Sequence, residues 1–224
     1  MKLLIPQCSL ELYQTENTID ILTIEEPSTF ASVVGDLWQQ VTGNDGDCML
    51  SELGASMAIS KSADIIFNPF SLDCNNSKVL KVIYQVLERE MDTETIELRG
   101  KIQQDLLELM DHIAETEWYP LAYDVNLELP TVFKLCNLKL DFQESALLER
   151  VHNYVRIMHQ VCGVRLFVFV NLKQYFSNRE LDLLYQDFLY ENIWVVDFES
   201  AFRQVIEHEN NVIFDKDFCL IHLD

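Results

Sequence analysis

Positive charge is scarce in this chain. Sixteen lysines and arginines face 37 aspartates and glutamates over 224 residues, for a formal net charge of −21. Phosphate backbones need concentrated positive charge, so the balance taken alone argues against a nucleic-acid partner. Two things overcome it: basic residues gathered on one face, or metal cations that neutralise carboxylates. A Debye length of about 8 Å lets such a patch act independently of distant charge. Glycine is also rare, at six residues. No G-x-x-x-x-G-K-[ST] run exists to cradle a nucleotide's phosphates, and no G-x-S-x-G elbow supports a hydrolase. Six cysteines are present (Cys8, Cys48, Cys74, Cys136, Cys162, Cys219) but no C-x-x-C pair. A zinc ribbon or thioredoxin-type site is therefore unsupported, and reduced, largely buried thiols in a cytoplasmic protein are expected. No apolar run approaches the roughly 18–20 residues that span a bilayer. The N-terminal MKLLIPQCSLELYQ holds only a short apolar patch, so neither a signal peptide nor a membrane partner is expected.

What is present begins with Val164 to Val170, an apolar run broken only by Arg165 and closed by Asn171. A short run without polar alternation reads as a strand buried on both faces, as in a parallel sheet. Gly163 precedes it, and Ser177 with Glu180 follows as a capping-box start to a helix carrying Leu181, Leu184, Tyr185 and Phe188 on one face. Ile193 to Phe198 is the next buried strand, so the unit predicts a parallel β-α-β crossover and an α/β layer.

The same grammar opens the chain. Lys2–Ile5 and Leu10–Tyr13 read as a hairpin and Thr18 to Ile24 as a stronger strand. Then follows a helix with Phe30, Val33, Val34, Leu37, Trp38 and Val41 on one face. The connection, Glu25-Glu26-Pro27-Ser28-Thr29, lies where a phosphate loop would lie but offers two carboxylates and no glycine or lysine. An anionic nucleotide is repelled there. Asn44 to Asp47 lacks an EF-hand's ligand pattern and reads as a hydrated turn. Met49–Leu50 and Ala63–Phe67 are further strands. From residue 76 to 117 the pattern is helical, with Val79, Leu80, Ile83, Val86 and Leu87 on a first face and Ile102, Leu106, Leu109, Met110 and Ile113 on a second. Thr131 to Leu140 begins a short helix or turn. Asp141 with Glu144 reads as a D-x-x-E cap to a helix lined by Leu147, Leu148, Val151, Val155 and Met158. Phe202, Val205 and Ile206 suggest a short helix, and one or two strands close the chain.

Few constellations carry chemistry. The five histidines show no metal spacing; His152 and His159 lie two helical turns apart with no obvious carboxylate partner. Asp197, at the end of a buried strand, is placed as catalytic carboxylates often are, but without a phosphate loop it reads better as a turn former. Glu115, Glu117, Asp124 and Glu128 bracket an irregular loop whose oxygens suit a hard cation, although a solvated acidic surface explains them as simply. Nine of the sixteen basic residues fall in residues 61–150. Lys78, Lys81 and Arg89 can share one helix face, either lining a DNA groove or paired with Glu88, Glu90 and Glu97.

The segments VRLFVFVNLKQYFSNREL, IWVVDFES and VIFDKDFCLI, with the earlier ILTIEEPSTFASVV and SADIIFNPFSLDCNNSKVLK, resemble in order the type II-A CRISPR-associated adaptation proteins, the Csn-two family. FVN-x-x-x-YFS-x-x-E is the most specific part of the likeness. The resemblance implies an α/β, P-loop-ATPase-like head of parallel or mixed sheet with its phosphate loop lost, formed by residues 1–71 and 146–224. An α-helical leg domain, residues 72–145, is inserted into it. It further implies a non-enzymatic homotetrameric ring with a basic hole that binds ends of double-stranded DNA, holds calcium, and acts in spacer acquisition beside the CRISPR adaptation integrase and effector nuclease. By local motif Tyr123-Asp124 matches a tyrosine–aspartate pair of the family's leg, which makes Asp124 and Glu128, and less directly Glu117, the expected calcium ligands. Lys78, Lys81, Arg99 and Lys101 are expected to meet DNA by their position in the leg. Two other readings compete: a degenerate metal-dependent nucleotide hydrolase or nuclease using Asp197, and an acidic scaffold that binds only proteins.

Overall fold

The structure, a computed structural model, describes residues 1–142 and 146–223. Alternating and continuous apolar patterns build two different sheets. Strands β1 (Lys2–Ile5), β2 (Leu10–Tyr13), β4 (Met49–Glu52) and β5 (Ala55–Met57) form an antiparallel sheet in the order β2-β1-β4-β5. Strands β3 (Ile19–Ile24), β6 (Ala63–Ile66), β7 (Leu166–Val170), β8 (Trp194–Glu199), β9 (Glu209–Phe214) and β10 (Leu220–Leu223) form a six-stranded sheet, β10-β9-β3-β8-β7-β6. All its neighbours are parallel except the β9–β10 edge hairpin. The protein is thus mixed α/β. By internal contacts it divides into two compact units, Met1–Asp73 with Gln143–Asp224, and Cys74–Phe142.

The long apolar runs become the central strands because both of their faces are covered. β3, β7 and β8 are buried along their whole length. One face, with Leu22, Ile24, Val168, Val196 and Phe198, shares a core with α1 (Pro27–Val41), Ile59 of the short α2 (Ile59–Ser62) and the antiparallel sheet. Helix α1 sends Val33, Val34 and Leu37 into that core, at about 1.5–3 kcal/mol for each fully buried aliphatic side chain, while Trp38 stays half exposed. On the other side lie α7 (Asn178–Tyr190), buried through Leu181, Leu184, Tyr185 and Phe188, and α6 (Leu147–Gln160), buried through Val151, Val155 and Met158. The Ser177–Glu180 capping box is formed: the Ser177 amide donates to Glu180 at 2.8 Å and the Glu180 amide to Ser177 Oγ at 3.4 Å. Gly163, at φ +73, makes the left-handed turn between α6 and β7 that a side chain would strain.

In the second unit Asn76 caps α3 (Ser77–Arg89), accepting from the amides of Lys78 and Val79. The chain breaks at Glu90 and Asp92 caps α4 (Thr93–Thr116). Pro130 starts α5 (Leu129–Leu135), which packs on α3 through Tyr84 against Phe133. Helix α4 buries none of its residues, and Ile96, Leu98, Ile102, Leu109 and Ile113 remain exposed.

Three sequence expectations change. The segment from Phe202 to Ile206 is not a helix: the Gln204 carbonyl accepts from Lys173 Nζ and the Ile206 amide donates to Glu209, so its backbone is committed to the sheet's end. The Asp141–Glu144 cap is not what starts α6, which begins at Leu147 with Ala146 at its N-cap; Glu144 itself lies outside the described residues. Among the cysteines, Cys8, Cys48 and Cys74 are buried but Cys136 and Cys219 are exposed. Burial pushes the Cys8 thiol up to about 11. Among the described residues no helix is long and apolar enough to cross a membrane.

Candidate nucleic-acid interface

The N-terminus of α1 carries its own anion. β3 sits between β9 and β8 in the parallel sheet and runs directly into α1. A helix N-terminus presents unpaired amides that favour an anion. Here Glu26 supplies the anion: its carboxylate accepts from the Thr29 amide at 2.7 Å, from Thr29 Oγ1 at 3.1 Å, and from the Ser28 hydroxyl. The Ser28 hydroxyl, then the Thr29 amide, hold the Glu26 carboxyl down to about 2. Pro27 removes one further amide from the first turn.

Asp197 is equally withdrawn. It is wholly buried, its Oδ1 accepts from the Leu172 amide at 3.2 Å, and its Oδ2 meets no donor among the described residues. Neighbouring groups form a polar seam on that side of the sheet. Glu199 accepts from the Lys173 amide at 2.9 Å and from Arg203 Nε at 3.2 Å. Asn171, in the left-handed conformation at φ 58, accepts the Ser200 amide at 2.9 Å on its Oδ1. Lys173 Nζ meets the buried Glu209 at 2.8 Å. The strand-end polar residues therefore bind the ends of β7 and β8 to each other. Burial, then the Glu199 charge, holds the Asp197 carboxyl well above the usual carboxylate range.

That shift has a measurable consequence. A folded-state pKa above the unfolded value of about 3.9 means that the native chain keeps a proton which the unfolded chain releases. The stabilisation is complete below that value and is lost as pH rises through the folded pKa, at up to about 1.4 kcal/mol per pH unit. Asp197→Asn carries no proton to lose. Relative to wild type, its urea midpoint is expected to gain as pH rises above about 4; a constant offset would refute the assignment.

Among the described residues most of the positive charge outside ion pairs lies in the helical unit. Among the described residues the larger unit neutralises five of its cations in ion pairs: Lys2–Glu11, Arg156–Glu191, Arg165–Glu52, Lys173–Glu209 and Arg203–Glu199. By contrast Lys78, Lys81 and Arg89 on α3, and Arg99 and Lys101 on α4, make no ion pair among the described residues, so the alternative pairing with Glu88, Glu90 and Glu97 is not formed. Lys78, Lys81 and Lys101 are exposed and Arg99 is half-buried. Lys81 lines a groove of about 520 Å³ between α3 and α5 with Ser77, Tyr84, Gln85, Glu88 and Lys134. Lys78 stands one turn from Lys81 on α3. The structure thus joins Lys81 to Lys134, which sequence position alone did not single out; its signal was a basic residue one turn after the helix-starting Pro130.

The expected calcium ligands are spread along the irregular stretch between α4 and α5. Glu117 follows the end of α4, Asp124 lies mid-loop, and Glu128 is the N-cap of α5. The Tyr123 hydroxyl donates to Asp111, which raises the tyrosine's pKa. Carboxylate oxygens on irregular backbone are the donors calcium takes. Among the described residues, however, the group of three or more ligating side chains whose atoms lie within 4.8 Å of one another is Asp182, Glu207 and His208. Glu117, Asp124 and Glu128 form no such group within one chain.

The sequence pattern of the family "CRISPR-associated protein (Cas_Csn2)" matches residues 40–218. The chain is 23% identical over 208 residues to the CRISPR-associated protein Csn2 of Enterococcus faecalis, an alignment that covers 89% of each chain. Its fold is similar to the crystal structure of Stu0660 of Streptococcus thermophilus, with a TM-score of 0.64 and 12% identity, over all of this chain and 76% of that one.

Proposed function

As a member of the CRISPR-associated Csn2 family, this chain belongs with the CRISPR adaptation machinery, and we propose that it is a non-catalytic homotetrameric ring that binds ends of double-stranded DNA during spacer acquisition. The observation that carries the DNA part is the set of basic side chains on α3, α4 and α5 that make no ion pair among the described residues, in a chain otherwise dominated by acids. They are suited to phosphate rather than base contacts. The exposed apolar side chains of α4 support association with further copies. The parallel sheet with β3 leading into α1 supports descent from a P-loop ATPase, and the Glu26 carboxylate seated on the helix amides supports loss of nucleotide binding. The burial of Asp197 weighs against the hydrolase or nuclease reading.

Calcium belongs to the same proposal. Leg carboxylates including Glu117, Asp124 and Glu128 offer the right donor type, and a cation there would offset the negative charge beside the basic residues. Since the three do not converge within one chain, further oxygens must complete any shell. The adaptation integrase and effector nuclease are the proposed partners.

The test is a gel shift with linear and closed circular duplex, across salt, with calcium or with a chelator. Linear DNA is expected to bind more tightly, less so in the chelator, with affinity falling linearly in log salt. Equal affinity for both forms would sink end recognition. No shift in any lane would favour the protein-only scaffold.

A further inference from the structure

We propose that Asp182, Glu207 and His208 form a binding site for a divalent transition metal of the zinc class. The three belong to different segments: Asp182 to the second turn of α7, Glu207 and His208 to the turn that enters β9. One ligand atom of each lies within 4.8 Å of those of the other two. Yet no hydrogen bond or ion pair joins any two of them among the described residues. Groups that close ordinarily bond, repel, or share something between them. Tetrahedral zinc with ligands at about 2.0–2.2 Å sets its donors roughly 3.4 Å apart, so closing on the metal needs about an ångström of side-chain movement. Glu207 is exposed and free to supply it.

A second observation stands apart from this convergence. Asp182 Oδ1 is shut off from solvent and has no donor among the described residues, while Oδ2 accepts from the Gln186 side-chain amide at 3.0 Å. An anionic oxygen without a partner is costly, and a cation is what relieves it. The backbone of His208 is fixed: its carbonyl accepts the Ile19 amide at 2.7 Å, and it sits at φ 67, in the left-handed region. Beside it opens a surface hollow of about 250 Å³ lined by Glu16, Asn17, Gln186, Leu189, Tyr190 and His208. Through it the metal can enter and water can take the fourth position.

The donor set selects the ion. Two carboxylates and one imidazole suit zinc, manganese or nickel, whereas calcium prefers oxygen alone. The bound metal would tie α7 to the turn leading into β9. The inference is independent of the DNA-binding proposal, since all three residues belong to the larger unit.

Zinc titration calorimetry and cobalt absorption test it, in a Cys136→Ser/Cys219→Ser background that removes the exposed thiols. One zinc per chain is expected, undisturbed by excess calcium. Cobalt should give visible d–d bands without thiolate charge transfer. His208→Asn, which tolerates the left-handed backbone, and Asp182→Asn should each weaken zinc at least tenfold with unchanged circular dichroism. Failure of either ion to bind, or affinity unchanged in both variants, overturns the site.

Discussion

Lys173→Met is expected to destabilise the larger unit by about 3–5 kcal/mol, because it strands a carboxylate in the interior. Lys173 and Glu209 are almost wholly shielded from water, and their ion pair measures 2.8 Å. Removing the ammonium leaves Glu209 with the Ile206 amide at 3.0 Å and the Asn211 side chain at 3.1 Å, two neutral donors for a full charge. It also frees the Gln204 carbonyl, which Lys173 holds at 2.8 Å. The loss corresponds to a fall in melting temperature on the order of 10 °C for a unit of this size. Lys173→Met with Glu209→Gln removes the charge problem, and the pair should recover most of the loss. A double variant as unstable as the single would place the effect elsewhere. Since Lys173 anchors the 204–209 segment through the Gln204 carbonyl and Glu209, zinc affinity at the proposed His208 site should fall in Lys173→Met and stay low in the double variant, which lacks the same anchor.

That ion pair was not legible in the sequence, and the reason is physical. Periodicity reports which side chains are apolar, so it found β3, β7 and β8 and the buried faces of α1 and α7 wherever whole runs were apolar. Local chemistry reported the Ser177–Glu180 capping box, since its partners are three residues apart. Asp197, expected as a cap or turn former at a strand end, instead lies within β8, buried, with its carboxylate on the Leu172 amide. Contacts such as Lys173–Glu209 or Asp182–His208 join residues dozens of positions apart and arise only when parallel strands stack in a particular order. The Phe202–Ile206 segment shows the converse error. Its apolar spacing resembles a helix, but the sheet's buried lysine claims the Gln204 carbonyl that a helix would use. The β4–β5 hairpin was half seen, because β5 is a short, exposed edge strand with little apolar signal. In the helical unit, α3 was found by its apolar stripe, of which Val79 is buried and Leu87 is exposed. The face of α4 was found too, but the chain itself leaves it uncovered.

Charge reversal at the α3–α5 groove is the other large effect expected. Lys81→Glu with Lys134→Glu should lower affinity for a linear duplex at least tenfold and reduce the slope of log affinity against log salt by about 1.8, the value for two phosphate contacts at 0.9 each. Both side chains are exposed, unpaired among the described residues, and border the same groove, so the fold should survive and circular dichroism should be unchanged. The control is Lys61→Glu with Lys216→Glu, two exposed lysines of the larger unit whose reversal changes the net charge equally. In a chain already at −21, a purely global repulsion would make the two double variants indistinguishable. Local phosphate contact would leave the control near wild type, since charges beyond about 8 Å are largely screened at physiological salt. Adding Lys78→Glu should deepen the loss, for it stands one turn from Lys81 on α3. Arg99→Glu and Lys101→Glu then decide whether α4 touches the same DNA: a further drop in salt slope would extend the interface along the helix, and an unchanged slope would confine it to the groove.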